Sequence, residues 1–250
     1  MTAAKKVAVV TGSSRGLGAA IIRRLAQDGF HVVINYKSTR AAGEALAEDI
    51  NSQYGEGRAI VVQADLTCFD DVKKLAEASI AFGAVTCLCL NAAHSPLTCL
   101  DTVTPQVYDD VFNANVKGHV FLIQALASHM PPQSSIVTIS SSVTRQSTTP
   151  ANLLFYTASK GALEQITRTL AKELGPKQIR INTISPGPIL GEHYWQVVTT
   201  PEKKALWENF SPMKRVGEEA EVAAVVSFFA GPDSRWVSGQ EIRVDGGAVV

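Results

Sequence analysis

Short apolar runs of four or five residues alternate along this chain with longer stretches in which apolar residues return every three or four positions. The runs are Val7 to Val10, Val32 to Asn35, Ala59 to Gln63, Thr86 to Leu90, Ile136 to Ile139, Arg180 to Ile184 and Glu241 to Val244. They are strand-sized, and apolar enough to be covered on both faces. Helical spacing fills the gaps: Leu17 to Asp28, Arg40 to Gln53, Val72 to Phe82, Pro105 to Asn113, Val116 to His129, Ala158 to Leu174 and Glu219 to Phe229. This alternation predicts an α/β fold, a doubly wound parallel sheet of about seven strands with helices on both faces, in a single domain over residues 1–250. One segment, Pro188 to Pro212, has no clear period and holds Tyr194, Trp195, Trp207 and Phe210. A loop of that length in a compact domain reads as a substrate lid, placed at about 188–213, although its aromatics serve equally well to anchor short helices.

Two segments carry chemistry. After the first apolar run comes Gly12-Ser13-Ser14-Arg15-Gly16-Leu17-Gly18, and then a helical pattern. A strand, a glycine turn and a helix start make a phosphate cradle, because glycine lets backbone approach a pyrophosphate and the helix end offers free N–H groups. The spacing G-x-x-x-G-x-G is one residue longer than the common dinucleotide fingerprint, and no Gly-Lys-Ser/Thr follows to make a triphosphate loop. A plain glycine turn is the alternative.

In Tyr156-Thr157-Ala158-Ser159-Lys160, a phenol and an ammonium stand four residues apart, on one helix face. A fixed positive charge about 4 Å from the phenol favours the phenolate by roughly 4 kcal/mol at an effective dielectric of about 20. That would bring an ordinarily weak acid towards neutrality, where proton transfer is efficient. Such a pair alone is most often an ordinary helix surface; its weight comes from the glycine turn upstream.

Together and in this order, the two segments resemble the short-chain dehydrogenase/reductase family. Asp65-Leu66, Asn91-Ala92-Ala93, Asn115, Ser140-Ser141, Ser185-Pro186-Gly187-Pro188 and Asp245-Gly246-Gly247 extend the resemblance over essentially the whole chain. The resemblance implies a Rossmann-type sheet and hydride transfer between a nicotinamide cofactor and a carbonyl or secondary alcohol. It implies Tyr156 as acid/base, Lys160 on the nicotinamide ribose and beside the phenol, and Ser141 steadying the substrate oxygen. Ser142, or a solvated serine turn, is the alternative to Ser141. Asn115 is implied to hold a water near Lys160, or is an amide interrupting a helix. Gly12, Ser14, Arg15, Gly16, Leu17 and Gly18 would hold the pyrophosphate. Asp65 and Leu66 would meet the adenine, with a helix-cap role open for Asp65. Asn91 and Ala92 would lie beside the cofactor, and Pro186, Gly187 and Ile189 would pack on the nicotinamide. Ala93 stands where the family usually has glycine.

The same resemblance bears on cofactor choice. An NAD site of this kind ends its second strand in a carboxylate that binds the ribose 2′-hydroxyl. Here the strand runs into Asn35-Tyr36-Lys37-Ser38-Thr39-Arg40, with no carboxylate before Glu44. Arg15, Lys37, Ser38 and Arg40 offer donors for a 2′-phosphate, so NADP(H) is the expected cofactor. An NAD-linked dehydrogenase working oxidatively is the alternative, and a non-catalytic dinucleotide sensor the remoter one.

Composition narrows the rest. Lys plus Arg and Asp plus Glu both number 23, so no net field favours nucleic acid or an anionic membrane. No apolar run reaches the length of a membrane span. The histidines show no metal-ligand spacing, so no metal is expected. Cys68, Cys87, Cys89 and Cys99 read as free thiols of a soluble, cytoplasmic protein. No Gly-x-Ser-x-Gly elbow supports a serine hydrolase. The segments Val116 to Ile123 and Gly161 to Ile166 look apolar on more than one side. With the Asp245-Gly246-Gly247 tail, the resemblance makes them two-fold interfaces of a homodimer or homotetramer. The expected partner is otherwise a small-molecule carbonyl or alcohol, small to medium and largely apolar.

Overall fold

The computed structural model describes residues 5–191 and 199–250; Tyr194 and Trp195 of the expected lid lie outside them. The chain runs β1 (Lys6–Val10), α1 (Gly16–Gln27), β2 (His31–Tyr36), α2 (Arg40–Tyr54), β3 (Ala59–Gln63), α3 (Phe69–Phe82) and β4 (Ala84–Leu90). It continues through α4 (Pro105–Phe112), a π turn (Asn113–Lys117), α5 (Gly118–Ala127), β5 (Ser135–Ile139), α6 (Leu154–Leu174) and β6 (Arg180–Pro186). The last elements are α7 (Pro201–Phe210), α8 (Glu219–Ala230) and β7 (Glu241–Val244). The seven strands lie in the order β3-β2-β1-β4-β5-β6-β7, every pair parallel. The order reverses between β1 and β4, so the loops that leave those strands part and open a crevice.

The period-2 alternation of the strands sorts their side chains between two cores. Val7, Val9, Val33, Leu88, Leu90 and Ile136 face one layer, where Leu75 of α3 and Leu122 and Leu126 of α5 cover them. Ala8, Val10, Val32, Ile34, Val137 and Ile139 face the other, under Ile21, Ile22 and Leu25 of α1, Leu46 and Ile50 of α2, and Val222, Val226 and Phe229 of α8. Cys87 and Cys89 lie in the second core as free thiols, and burial pushes the Cys87 thiol up to about 12, which leaves it unreactive. Among the described residues, no helix is long and apolar enough to cross a membrane.

Several boundaries differ from the periodic reading, each for a tertiary reason. α3 begins at Phe69 because that ring packs edge-on to Phe121, 5.2 Å between centroids. α6 begins at Leu154, where Phe155 packs edge-on against Tyr108 (5.2 Å) and Phe112 (6.4 Å) of α4. Tyr156 therefore stands inside the first turn of α6. The expected lid contains a helix, α7, capped by the Thr200 hydroxyl, which accepts the Lys203 N–H, with Pro201 at its first position.

α4, the π turn and α5 form one continuous rod that presses on the loop after β3. A Cβ on Gly118 would stand 2.2 Å from the Leu66 carbonyl oxygen. Gly118→Ala is expected to destabilise the fold by roughly 1–3 kcal/mol through this overlap with backbone. Thermal denaturation checks it, and an unchanged melting temperature would mean the rod moves away without cost.

Candidate active site

The carboxyl ends of β1, β4, β5 and β6 open into one cleft of about 880 Å³. Its floor is the glycine turn. Gly12 (φ +60°) and Gly16 (φ +57°) adopt left-handed backbone, and a Cβ on Gly18 would lie 2.4 Å from the Gly12 carbonyl oxygen. The Asn91 side-chain amide donates to the carbonyls of Thr11 (3.0 Å) and Gly12 (3.1 Å). The Thr11 hydroxyl accepts the N–H groups of Asn91 (2.9 Å) and Ala92 (3.0 Å), so β4 and the turn are laced together. Asn35, buried at the end of β2, accepts the Gly12 N–H at 2.9 Å and donates to the Ala64 carbonyl at 3.1 Å. Its side chain is thus occupied in building the wall.

At the end expected to take the adenosine, the cleft is lined by Ser14, Arg15, Asn35, Tyr36, Lys37, Ser38, Asp65 and Leu66. Two of the expected donors there are engaged. Lys37 Nζ lies 2.8 Å from the Asp65 carboxylate, and Arg40 pairs with Glu44 one helical turn on and does not line the cleft. The Asp65 carboxylate also accepts the Thr67 N–H at 3.0 Å, and the Asp65 N–H donates to Asp71 at 2.8 Å, which is the helix-entry arrangement. Burial alone would raise the Asp65 pKa, but hydrogen bonds from Lys37 and Thr67 outweigh it and hold the carboxyl below its usual range. Thr39, which the sequence reading passed over, also lines this end, its hydroxyl 2.6 Å from that of Ser14.

At the other end Ser141, Tyr156 and Lys160 meet Pro186, Gly187 and Ile189. The Ser141 hydroxyl is hydrogen-bonded to the Tyr156 phenol. Of the three serines after β5, Ser140 turns inward to donate to the buried Glu164 carboxylate at 2.8 Å. Ser142 is buried and accepts from the Gln146 side chain at 3.0 Å. Thr144 donates to the same Glu164 oxygen at 2.6 Å, so one carboxylate grips the chain on both sides of Ser141. Gly187 passes close to β7, a Cβ there standing 2.7 Å from the Asp245 Cβ.

Lys160 is almost wholly buried, its Nζ donating to the Ile139 carbonyl at 2.7 Å and lying 5.6 Å from the centre of the Tyr156 ring. Burial lowers the Lys160 pKa to about 8. The expectation that Lys160 depresses the Tyr156 pKa is corrected here. Burial of the phenol raises its pKa, and only the Ser141 hydrogen bond opposes that rise. The ammonium points at a strand carbonyl rather than at the phenol oxygen.

Asn115 sits in the π turn with its side chain buried. It accepts the His94 N–H (2.7 Å) and donates to the His94 carbonyl (2.9 Å) and to Ser159 Oγ (3.0 Å), the neighbour of Lys160. His119, one turn further on, is fully buried and 3.5 Å from the Thr11 hydroxyl. Desolvation, then the nearby Lys160 charge, brings its pKa down to about 3. His94, Gly191 and Glu219 also line the cleft without having been foreseen, since no motif marks them.

The buried Lys160 ammonium has a stability cost. Its folded pKa, about 8, lies below the ordinary 10.5, so between those values the unfolded chain binds more protons and stability rises with pH. Lys160→Met is expected to remove that rise and to stabilise the protein near neutrality by on the order of 3 kcal/mol. Chemical denaturation of both proteins between about pH 7 and pH 10 checks it. A wild-type protein that loses stability relative to the variant across that window would contradict the assignment.

Comparison with known proteins agrees with this architecture. Residues 12–249 match the protein family described as enoyl-(acyl carrier protein) reductase. An uncharacterised oxidoreductase of Methylorubrum extorquens is 38% identical over 244 residues, 97% of each chain. A versicolorin reductase of Emericella nidulans is 36% identical over 256 residues, covering 97% of this chain and 95% of that one. Among solved structures, a blue fluorescent protein from a metagenomic library, crystallised with NADPH, superposes with a TM-score of 0.91 at 34% identity over 98% of both chains. With the crevice at the strand reversal, the glycine turn on its floor and these relatives along its whole length, the chain belongs to the short-chain dehydrogenase/reductase family of oxidoreductases.

Proposed function

We propose that this protein transfers hydride between NADP(H) and a carbonyl or secondary alcohol on a small to medium, largely apolar substrate, with Tyr156 as acid/base. The observation that carries the reading is the convergence of Ser141, Tyr156 and Lys160 on the cleft whose floor is the glycine turn. The cleft suits a dinucleotide: Gly18 leaves no room for a side chain where backbone must approach a pyrophosphate, and α1 starts at that point. Gly12 to Gly18 would hold the phosphates, Tyr36 to Thr39 and Leu66 the adenosine, and Pro186, Gly187 and Ile189 the nicotinamide. When bound, the nicotinamide supplies or accepts the hydride.

The remaining work belongs to the protein. The raised pKa keeps the Tyr156 phenol protonated at neutral pH, as a proton donor in the reductive direction must be. Ser141, held from both sides by Glu164, keeps its hydroxyl beside the phenol, where charge on a substrate oxygen would develop. A lysine with a pKa of about 8 gains or loses a proton at little cost and suits resupply of the phenol. The Asn115 amide ties the π turn to Ser159 and so fixes the α6 turn that carries Lys160.

The versicolorin reductase relative supports an aromatic ketone as the first substrate to try, beside quinone, steroid and acyl ketones. Tyr156→Phe is expected to lower turnover on the best of these by roughly two to four orders of magnitude while leaving cofactor affinity largely intact. Near-full activity in that variant would remove Tyr156 from its role.

NADP(H) is favoured over NAD(H) because Asn35 and Tyr36 end β2 without a carboxylate, while Arg15, Lys37, Ser38 and Thr39 line the adenosine end. The Lys37–Asp65 pair supports a second reading, in which NAD(H) serves comparably, since a 2′-phosphate would have to compete with Asp65 for that ammonium. The ratio of kcat/KM for NADPH over NADH, in wild type and Arg15→Ala, separates the two. A ratio above one that falls in the variant is expected; a ratio below one, or one unmoved by the mutation, supports the second reading.

A further inference from the structure

Three carboxylates open α8, and they are employed differently. Glu218 and Glu221 form a reciprocal capping box, and Glu221 also pairs with Arg215 at 2.6 Å, which holds its pKa down at about 2. Glu219, between them, takes no part in either arrangement. Its carboxylate turns into the cleft and fills the gap between two glycines of different loops. A Cβ added to Gly16, in the glycine turn, would stand 3.7 Å from Glu219 Oε1, and one added to Gly191, at the root of the lid, would stand 2.8 Å from it. Among the described residues, no hydrogen-bond donor or cation pairs with this carboxylate, and burial raises its pKa.

We propose that Glu219 is a negative determinant of cofactor affinity, an anionic group set against the phosphate cradle that loosens the grip on the dinucleotide and couples its binding to proton uptake. The inference rests on the dinucleotide reading of the cleft. The cofactor's phosphates enter a site whose attraction comes from backbone N–H groups and the start of α1. A half-buried carboxylate in the wall of the same cleft opposes them, and the opposition disappears when it is protonated. The titratable groups that line the same cleft are Arg15, Lys37, Asp65, His94, Asp110, Tyr156 and Lys160, and Glu218 and the Arg215–Glu221 pair stand at the start of the same helix. With its pKa held at about 2, Glu221 stays ionised through the working range, whereas the shift of Glu219 runs the other way. The sign follows: affinity for the cofactor rises as pH falls and Glu219 takes up its proton.

The test is the dissociation constant of NADPH, read by its fluorescence on the full-length protein, for wild type, Glu219→Gln and Glu219→Ala from about pH 5 to pH 8. Both variants should bind roughly tenfold tighter than wild type at the upper end, and the difference should narrow as the pH falls. Titration of the cofactor's own phosphate is common to all three proteins and cancels in the comparison. The alanine variant removes the charge without adding an amide donor, so tightening in Gln alone would assign the effect to a new hydrogen bond and overturn the proposal. Unchanged or weaker binding in both variants would overturn it too, making the carboxylate neutral or a needed acceptor, while the dinucleotide reading stands. Failure of wild type to bind either NADPH or NADH would instead remove that reading and this inference with it.

Discussion

The cleft depends on how closely the start of α1 lies against the turn that precedes it. The Gly12 carbonyl occupies the space where a Gly18 side chain would stand, and Asn91 donates to that same carbonyl. The first contact is lost if the helix retreats by the width of a methyl group. The turn must therefore run in left-handed backbone at Gly12 and Gly16, and β4 must end where Thr11 can take two of its N–H groups. Asn35 then joins the turn to β2 and β3. The glycine turn is thus fixed from three strands by the side chains of Thr11, Asn35 and Asn91, and the rest of the cleft is placed relative to it.

The end of the cleft lined by Ser141, Tyr156 and Lys160 is built on an opposite principle, and there a buried ammonium costs stability. A lysine ammonium is held out of water by one strand carbonyl, and a half-buried phenol stands beside it. Both protonation equilibria move in the direction desolvation dictates, Lys160 down from 10.5 to about 8 and Tyr156 up from 10.0, so two groups nearly matched in water are set apart, with the proton held more firmly by the phenol. Proton transfer from the Lys160 ammonium to a Tyr156 phenolate would thereby run downhill. The buried Glu164 carboxylate gives the segment around Ser141 a fixed course, a rigidity that three consecutive serines would not have by themselves.

The strands and most helices were legible because their signals are local. A four- or five-residue apolar run between turn residues has few alternatives, and all seven runs are strands. The earlier start of α6 was not legible, because what makes Leu154 to Tyr156 helical is the packing of Phe155 on two rings of α4, remote in sequence. The fate of the charged residues was hidden for the same reason. Lys37 and Asp65 stand 28 positions apart in the chain and meet only because β2 and β3 are neighbours. The direction of the Tyr156 shift was misjudged because helical spacing shows that a lysine is near and not where its ammonium points. Glu219 carried no signal, since three glutamates at a helix start look alike until one of them is seen to face a cavity.

The π turn at Asn115 makes two apparent helices into a single rod with a phase slip. Each π ring takes in one residue more than an α ring, which rotates everything downstream by about 100° around the axis. The apolar pattern of Pro105 to Phe112 and that of Gly118 to Ala127 are therefore out of step in sequence and in step in space. The rod tolerates substitution at many of its positions far better than it tolerates a change of length. Loss of a single residue near Asn115 would let the wide ring close into an ordinary α turn, with Leu122 and Leu126 still against the sheet, yet it would remove the geometry that seats the Asn115 amide against α6.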